Sequence, residues 1–206
     1  MYKEKVQNNR PVVILVEPQL GENIGAVARA MLNCGLRELR LVRPRDGWPN
    51  PTAEAMASGA IEVLKSAEVF EQTGDAVWDL NRLFATTARQ RDLAKKVVTP
   101  KEAAKLFFDT KFAGDNIGFL FGPERSGLVN DDIALADYVI NVPLNPEFSS
   151  LNLAQAVLLV GYEWFQASLM QKIGSQKWGK SEISTIVERE YFYKMIEKHL
   201  DESGFL

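Results

Sequence analysis

Short apolar runs rich in β-branched and aromatic residues alternate with stretches of helical periodicity through most of this chain. That alternation predicts an α/β fold with a mostly parallel sheet flanked by helices. Val12 to Val16 is an uninterrupted apolar run followed by Pro18, the pattern of a central strand covered on both faces. Asn23 stands where it can cap a helix whose Ile24, Val27, Ala28, Met31 and Leu32 recur at helical spacing, and Gly35 sits where such a helix ends. Further strands are expected at Glu38 to Val42, Leu83 to Thr87, Ile117 to Phe121 and Tyr138 to Val142.

The small residues Thr52 to Ala60 predict a helix, and Pro100 suits the first turn of another that carries Ala103, Ala104, Leu106 and Phe107. Ser149 or Ser150 is placed to cap a long helix through Leu169 that is apolar on nearly every side. Such a helix has to bury more than one face, so it is expected to pack on the sheet and against a second subunit. A polar linker from Gly174 to Lys180 leads into a last helix at about Ser181 to Leu200. The organisation read from this pattern is a flexible arm at 1–10, an α/β domain at 11–170, and a linker with a C-terminal helix at 171–206.

Composition removes several function classes. Cys34 is the single cysteine, so no intrachain disulfide is possible and a reducing, cytoplasmic setting is expected. No apolar run approaches the roughly 20 residues that span a bilayer, and Met1 to Arg10 lacks the apolar core of a secretory signal, so no membrane partner is expected. His199 is the single histidine, which leaves no material for His-rich metal sites or a His-based triad. Neither a GxxxxGK[ST] nor a GxGxxG phosphate loop occurs; Gly21 to Gly25 resembles the second only in its two glycines. A net charge of −3 argues against a protein that coats nucleic acid, yet Arg37, Arg40, Arg43 and Arg45 cluster, as do Arg82, Arg89, Arg91, Lys95 and Lys96.

Three segments place polar residues at strand ends, where open α/β sheets hold ligands. In the first, Glu17 to Arg29, a helix cap at Asn23 and a surface charge at Arg29 are the plainer reading of that segment taken alone. The second, Phe119 to Gly127, ends a strand on Gly122-Pro123 and sets Glu124 beside Arg125 at the apex of a turn, able to pair with each other or to reach a ligand. The third, Pro143 to Asn152, is a proline-stiffened loop that delivers Ser149, Ser150 and Asn152 to the start of the apolar helix. Asn is a mediocre helix former, so Asn152 inside a first turn asks for a further role.

Together these segments resemble the SpoU/TrmH family of the SPOUT superfamily and, within it, the TrmJ group of tRNA ribose methyltransferases. The resemblance rests on Asn23 and Arg29 in NIGAVARA, on FGPERSGL from Phe121 to Leu128, and on NPEFSSLNLAQAV from Asn145 to Val157. Thr86-Thr87-Ala88-Arg89 matches a further element, and the match runs in family order over about residues 11 to 169. It implies a SPOUT fold with a C-terminal trefoil knot, a homodimer that completes the active site, and transfer of a methyl group from S-adenosyl-L-methionine to an RNA ribose 2′-hydroxyl. The products are S-adenosyl-L-homocysteine and methylated RNA, and no metal is needed. The expected substrate is tRNA at the first anticodon-loop nucleotide, cytidine or uridine; ribosomal RNA and a catalytically silent RNA-binding dimer are the alternatives. The TrmJ group carries a longer C-terminal helical extension, so 171–206 reads as a short or truncated one.

Carried over by position, the cofactor touches Thr86, Thr87, Ala88, Gly122, Val142, Leu144, Ser149, Ser150 and Leu151, while Asn23, Glu124, Arg125 and Asn152 shape the catalytic end and Arg29 faces the ribose. The family proposal makes the residue matching Arg29 the base. A guanidinium is normally always charged, so the other reading has Arg29 bind the adjacent phosphate and polarise the hydroxyl while the proton leaves late or to water.

Overall fold

The computed structural model describes residues 10–87, 95–108, 116–175 and 186–205. Seven strands form one sheet: β1 (Val12–Val16), β2 (Leu39–Val42), β3 (Glu68–Phe70), β4 (Arg82–Thr86), β5 (Lys96–Val98), β6 (Ile117–Phe121) and β7 (Tyr138–Ile140). Their order is β3-β2-β1-β6-β4-β7-β5, and every pairing is parallel. Helices α1 (Gly21–Asn33), α2 (Pro51–Ala57), α3 (Ile61–Lys65), α4 (Thr73–Val77), α5 (Pro100–Phe107), α6 (Asn130–Leu135) and α7 (Leu153–Ser175) connect and cover it, and α8 (Ile186–Glu202) follows. By compactness the chain divides into Met1–Gln171 and Lys172–Leu206; α8 belongs to the second unit.

β1 reads as a continuous apolar run because both of its faces are covered. Val13 and Leu15 join the core under α1, α2, α3, α5 and α7, whereas Val12, Ile14 and Val16 join a smaller core under α4 and α6. The period-2 alternation of a strand assigns them to opposite sides. β6 behaves the same way: Phe119 and Phe121 face the larger core and Leu120 the smaller. α7 contributes Leu153, Val157, Val160 and Trp164 to the larger core, and Trp164 meets Phe107 edge-on at 6.0 Å.

Several local expectations shift. α1 begins at Gly21 with Leu20 as its N-cap residue, so Asn23 lies inside the first turn and caps nothing. A Cβ on Gly25 would stand 2.3 Å from the Ala53 carbonyl, so this glycine lets α2 lie close against α1 and is no part of a phosphate loop. The helix expected at Thr52 to Ala60 breaks at Ser58, whose φ of 52° leaves a short 3₁₀ turn at Ser58–Ala60 and a separate α3. Asn50 caps α2 by accepting from the Thr52 and Ala53 amides. Thr99 and Glu102 form a reciprocal capping box on α5, ahead of the proline that marked its start. β3 and β5, at the two sheet edges, are not among the expected strands: each has three residues, the first two with exposed side chains, too few to carry a periodic signal.

Candidate active site

β4, β6 and β7 end side by side, and side chains tie the ends together. Thr86 donates its hydroxyl to the Leu120 carbonyl at 3.0 Å, and Asn141 donates its amide to the Thr87 carbonyl at 3.1 Å. Beyond β6 the chain folds on itself: Gly127, at φ +66°, donates its amide to the Pro123 carbonyl at 2.8 Å. A Cβ on Gly122 would stand 2.3 Å from the Leu128 nitrogen, so only glycine fits there. This closure makes a short ridge on which Arg125 and Ser126 are exposed and Glu124 is half-buried.

A cavity of about 280 Å³ opens over these ends, near the lower end of the roughly 300–1,000 Å³ usual for small-molecule sites. Thr86, Thr87, Gly122, Val142, Leu144, Ser149, Ser150 and Leu151 all line it, as do Glu124 and Arg125. Ala88 lies outside the described residues. Sequence reasoning missed the apolar floor of Phe121, Ile140, Leu153 and Ala156. The signal was present, because those residues end two strands and occupy the first turn of α7. The lining suits a ligand with an apolar planar group and a polar tail: apolar side chains, two serine hydroxyls and backbone brought close by Gly122.

At one end of the cavity lies a directed chain of hydrogen bonds. Asn152 caps α7, accepting from the Ala154 amide at 2.8 Å, while Gln155 reaches back to accept from the Asn152 amide at 3.2 Å. Asn152, and neither Ser149 nor Ser150, is therefore the cap, which answers its apparent misfit in a helix. With its oxygen so engaged, its side-chain nitrogen donates to Asn23 Oδ1 at 2.9 Å. Asn23 in turn donates to Glu124 Oε1 at 2.7 Å, and the Gln19 amide donates to Glu124 Oε2 at 2.9 Å. Backbone donors at both ends fix the orientation of each amide, and Glu124 acts as acceptor on both oxygens. The chain unites Asn23 of α1 with Glu124 after β6 and Asn152 just before α7, 101 and 129 positions away.

The other two polar candidates are not part of this chain. Arg125 makes no ion pair with Glu124; it is exposed, and it bonds to no described residue. Arg29 is exposed on α1, likewise without a bonded partner among the described residues, and does not line the cavity. No group of three or more His, Cys, Asp or Glu able to hold a metal occurs among the described residues.

The first basic cluster is largely neutralised by its own surroundings. Arg37 pairs with Glu62, Arg43 with Glu17, and Arg45 with Asp46. Arg40 is buried and bonded to Asp79 and Glu38. Its hydrogen bond to Asp79 raises the guanidinium's affinity for its proton and holds the Asp79 carboxyl below the usual range. That pair secures β2 to the segment after α4 and is structural. Burial pushes the Cys34 thiol up, keeping it an inert core residue.

Residues 10–162, which hold this whole arrangement, match the model of the SpoU rRNA Methylase family. The chain belongs to this family. Among its relatives is the tRNA (cytidine/uridine/adenosine-2′-O-)-methyltransferase TrmJ of Pseudomonas aeruginosa, 35% identical over 202 residues, covering 94% of this chain and 78% of the relative. The crystal structure of TrmJ from Z. mobilis is 49% identical with a TM-score of 0.73, covering 95% of this chain and 82% of that one. The SpoU methyltransferase AviRb from Streptomyces viridochromogenes, solved in complex with AdoMet, shares the fold alone: 21% identity and a TM-score of 0.63, over 80% of this chain and 60% of that one. As a SpoU methyltransferase, the chain has the α/β fold with a parallel sheet that its sequence pattern predicts. No helix among the described residues is long and apolar enough to cross a membrane.

Proposed function

We propose that this SpoU methyltransferase transfers the methyl group of S-adenosyl-L-methionine to a ribose 2′-hydroxyl of tRNA, at the first anticodon-loop nucleotide. The observation that carries the reading is the cavity itself. Eight residues matching the family's cofactor contacts converge on it, and its rim bears Glu124 held by Asn23. When bound there, the cofactor supplies an activated methyl group, so the protein's task is to position the hydroxyl and receive or release its proton. Thr86, Thr87 and the Gly122 backbone would hold the adenosine moiety against Ile140 and Val142, and Ser149 and Ser150 would meet the polar tail.

Glu124 would orient the acceptor ribose from a carboxylate already fixed by two N–H donors. Arg29, exposed and without a bonded partner among the described residues, would bind the adjoining phosphate and polarise the hydroxyl; an in-line approach to within about 3 Å supplies much of the acceleration. A homodimer is part of the reading: Leu158, Leu159 and Tyr162 leave an apolar strip exposed on α7 beside the buried Val157 and Val160. The crossover from β6 over β4 to β7 is compatible with the family's trefoil knot.

The test is methyl transfer from labelled cofactor to unmodified tRNA, with mass-spectrometric mapping of the product nucleoside. A 2′-O-methylated cytidine or uridine in the anticodon loop is the expected result. Methylation of ribosomal RNA alone would move the substrate, and cofactor binding with no transfer to either RNA would overturn the enzyme reading.

A further inference from the structure

A second cleft lies on the other side of the Pro123–Ser126 ridge. It has a volume of about 180 Å³ and is walled by Glu17 and Gln19 after β1, Arg43 and Arg45 after β2, and Pro123 and Ser126 of the ridge itself. Pro123 and Ser126 also line the first cavity, so the two spaces share one wall. The chain leaves β1 toward β2 and leaves β6 toward β7, in opposite directions along the sheet. The β1/β6 boundary is thus a topological switch point, where open parallel sheets make a crevice for ligands.

The cleft is built with care on its far side. Glu17 and Arg43 both adopt left-handed backbone conformations, at φ 47° and 45°, although neither is glycine. Arg43 donates through Nε and Nη2 to Glu17 Oε1 and through Nη1 to the Glu71 carbonyl, which locks both strained residues. The Arg45 amide donates to the Pro18 carbonyl, fixing the next wall residue. Arg45 gives only Nε to Asp46; its two Nη groups have no partner among the described residues. Gln19 uses its backbone amide to hold Glu124 and has no side-chain bond among the described residues. Arg45, Gln19 and Ser126 thus line one small space to which they can offer a guanidinium, a carboxamide and a hydroxyl, while the Glu17 carboxylate in the same lining is paired with Arg43; such donors suit a phosphodiester.

We infer that this cleft holds the backbone phosphate of a nucleotide flanking the methylated one, with Arg45 as its main ligand and Gln19 and Ser126 as secondary donors. The RNA strand then lies across the Glu124 ridge, with the target ribose on the cavity side and the neighbouring phosphate on the cleft side. Arg125, exposed on that ridge and unpaired among the described residues, lies along the same track. This inference rests on the proposed RNA methyl transfer, and its test separates the two.

Binding of an unmodified tRNA transcript is titrated over a salt series for the wild type, Arg45→Gln, Gln19→Ala and a control, Arg37→Gln, which precedes β2 and pairs with Glu62. Arg45→Gln is expected to weaken binding several-fold, and to lower the slope of log affinity against log salt by about one, the signature of one lost phosphate contact. Gln19→Ala is expected to weaken binding less and leave the slope unchanged, and Arg37→Gln to alter neither. Calorimetry should give the same S-adenosyl-L-homocysteine affinity for all four, which excludes misfolding. A wild-type slope in Arg45→Gln overturns the inference, as does a loss of cofactor affinity in that variant. A wild-type chain that binds RNA with its full slope yet transfers no methyl group overturns the proposed activity instead.

Discussion

Asn23 donates its side-chain amide to Glu124 at 2.7 Å, across 101 positions of sequence. Together with the Gln19 amide on the other oxygen, the contact holds the Glu124 carboxylate in the lining of the cavity, where it makes no ion pair with Arg125. Glu124→Gln would present an NH₂ group to one of two N–H donors and break one bond. Hydrogen bonds to charged groups are worth about 1.5–3 kcal/mol, so turnover should fall roughly tenfold to a hundredfold with little change in cofactor affinity. Asn152→Asp keeps the oxygen that caps α7 and loses the donor to Asn23, whereas Asn152→Ala loses both. Only the alanine variant should lose the cap's stability, about 1 kcal/mol, while both lose activity. Thermal melts beside single-turnover rates separate the two effects, and full activity in Asn152→Asp would sink the relay.

Arg29 is the clearest case for reading a pH profile. Arg29→Lys keeps the charge and loses the planar fork. If Arg29 binds phosphate, the variant retains measurable turnover with an unshifted pH–rate profile, and its loss appears mainly in the KM for RNA. A displaced pH limb would instead give Arg29 the proton.

Gly122 and Gly127 should respond differently to alanine. At Gly122 the added carbon meets backbone at 2.3 and 2.6 Å, so the ridge has to move, with a cost of about 1–3 kcal/mol and cofactor affinity reduced more than tenfold. At Gly127 nothing stands within 4 Å and the cost is the left-handed backbone alone, about 1–2 kcal/mol. Denaturant melts and calorimetry on both variants check the contrast.

Asp79 links stability to pH. Its carboxyl is held below the ordinary value by Arg40, so its contribution is complete above the unfolded value of about 4 and is lost as pH falls through the folded one. Asp79→Asn should cost about 1–3 kcal/mol at pH 7, less than a fully buried pair because Asp79 is partly solvated. The gap between variant and wild type should narrow on acidification below about pH 4, measured by denaturant titration at each pH.

The strip of Leu158, Leu159 and Tyr162 gives a test of assembly. If the chain forms the proposed homodimer, Leu159→Glu should shift it toward monomer in light scattering at unchanged helical content. A wild type that is monomeric at all concentrations would contradict the dimer.

The apolar runs of β1 and β6 announced themselves because both of their faces are buried, and the three motif segments fell at strand ends as an open sheet requires. Local chemistry also marked Gly35, Pro100 and Gly122. The sequence did not reveal that Asn152, and no serine, caps α7, or that Asn23 spends its side chain on Glu124 and Asn152. It did not show that three of the four arginines in the 37–45 cluster have charge partners among residues elsewhere in the chain, leaving the fork of Arg45 open. Periodicity and turn chemistry are properties of neighbours in the chain, so one sequence carries them. Hydrogen bonds across 101 and 129 positions depend on which strand ends lie side by side, and the order β1-β6-β4-β7 exists only once the sheet has formed.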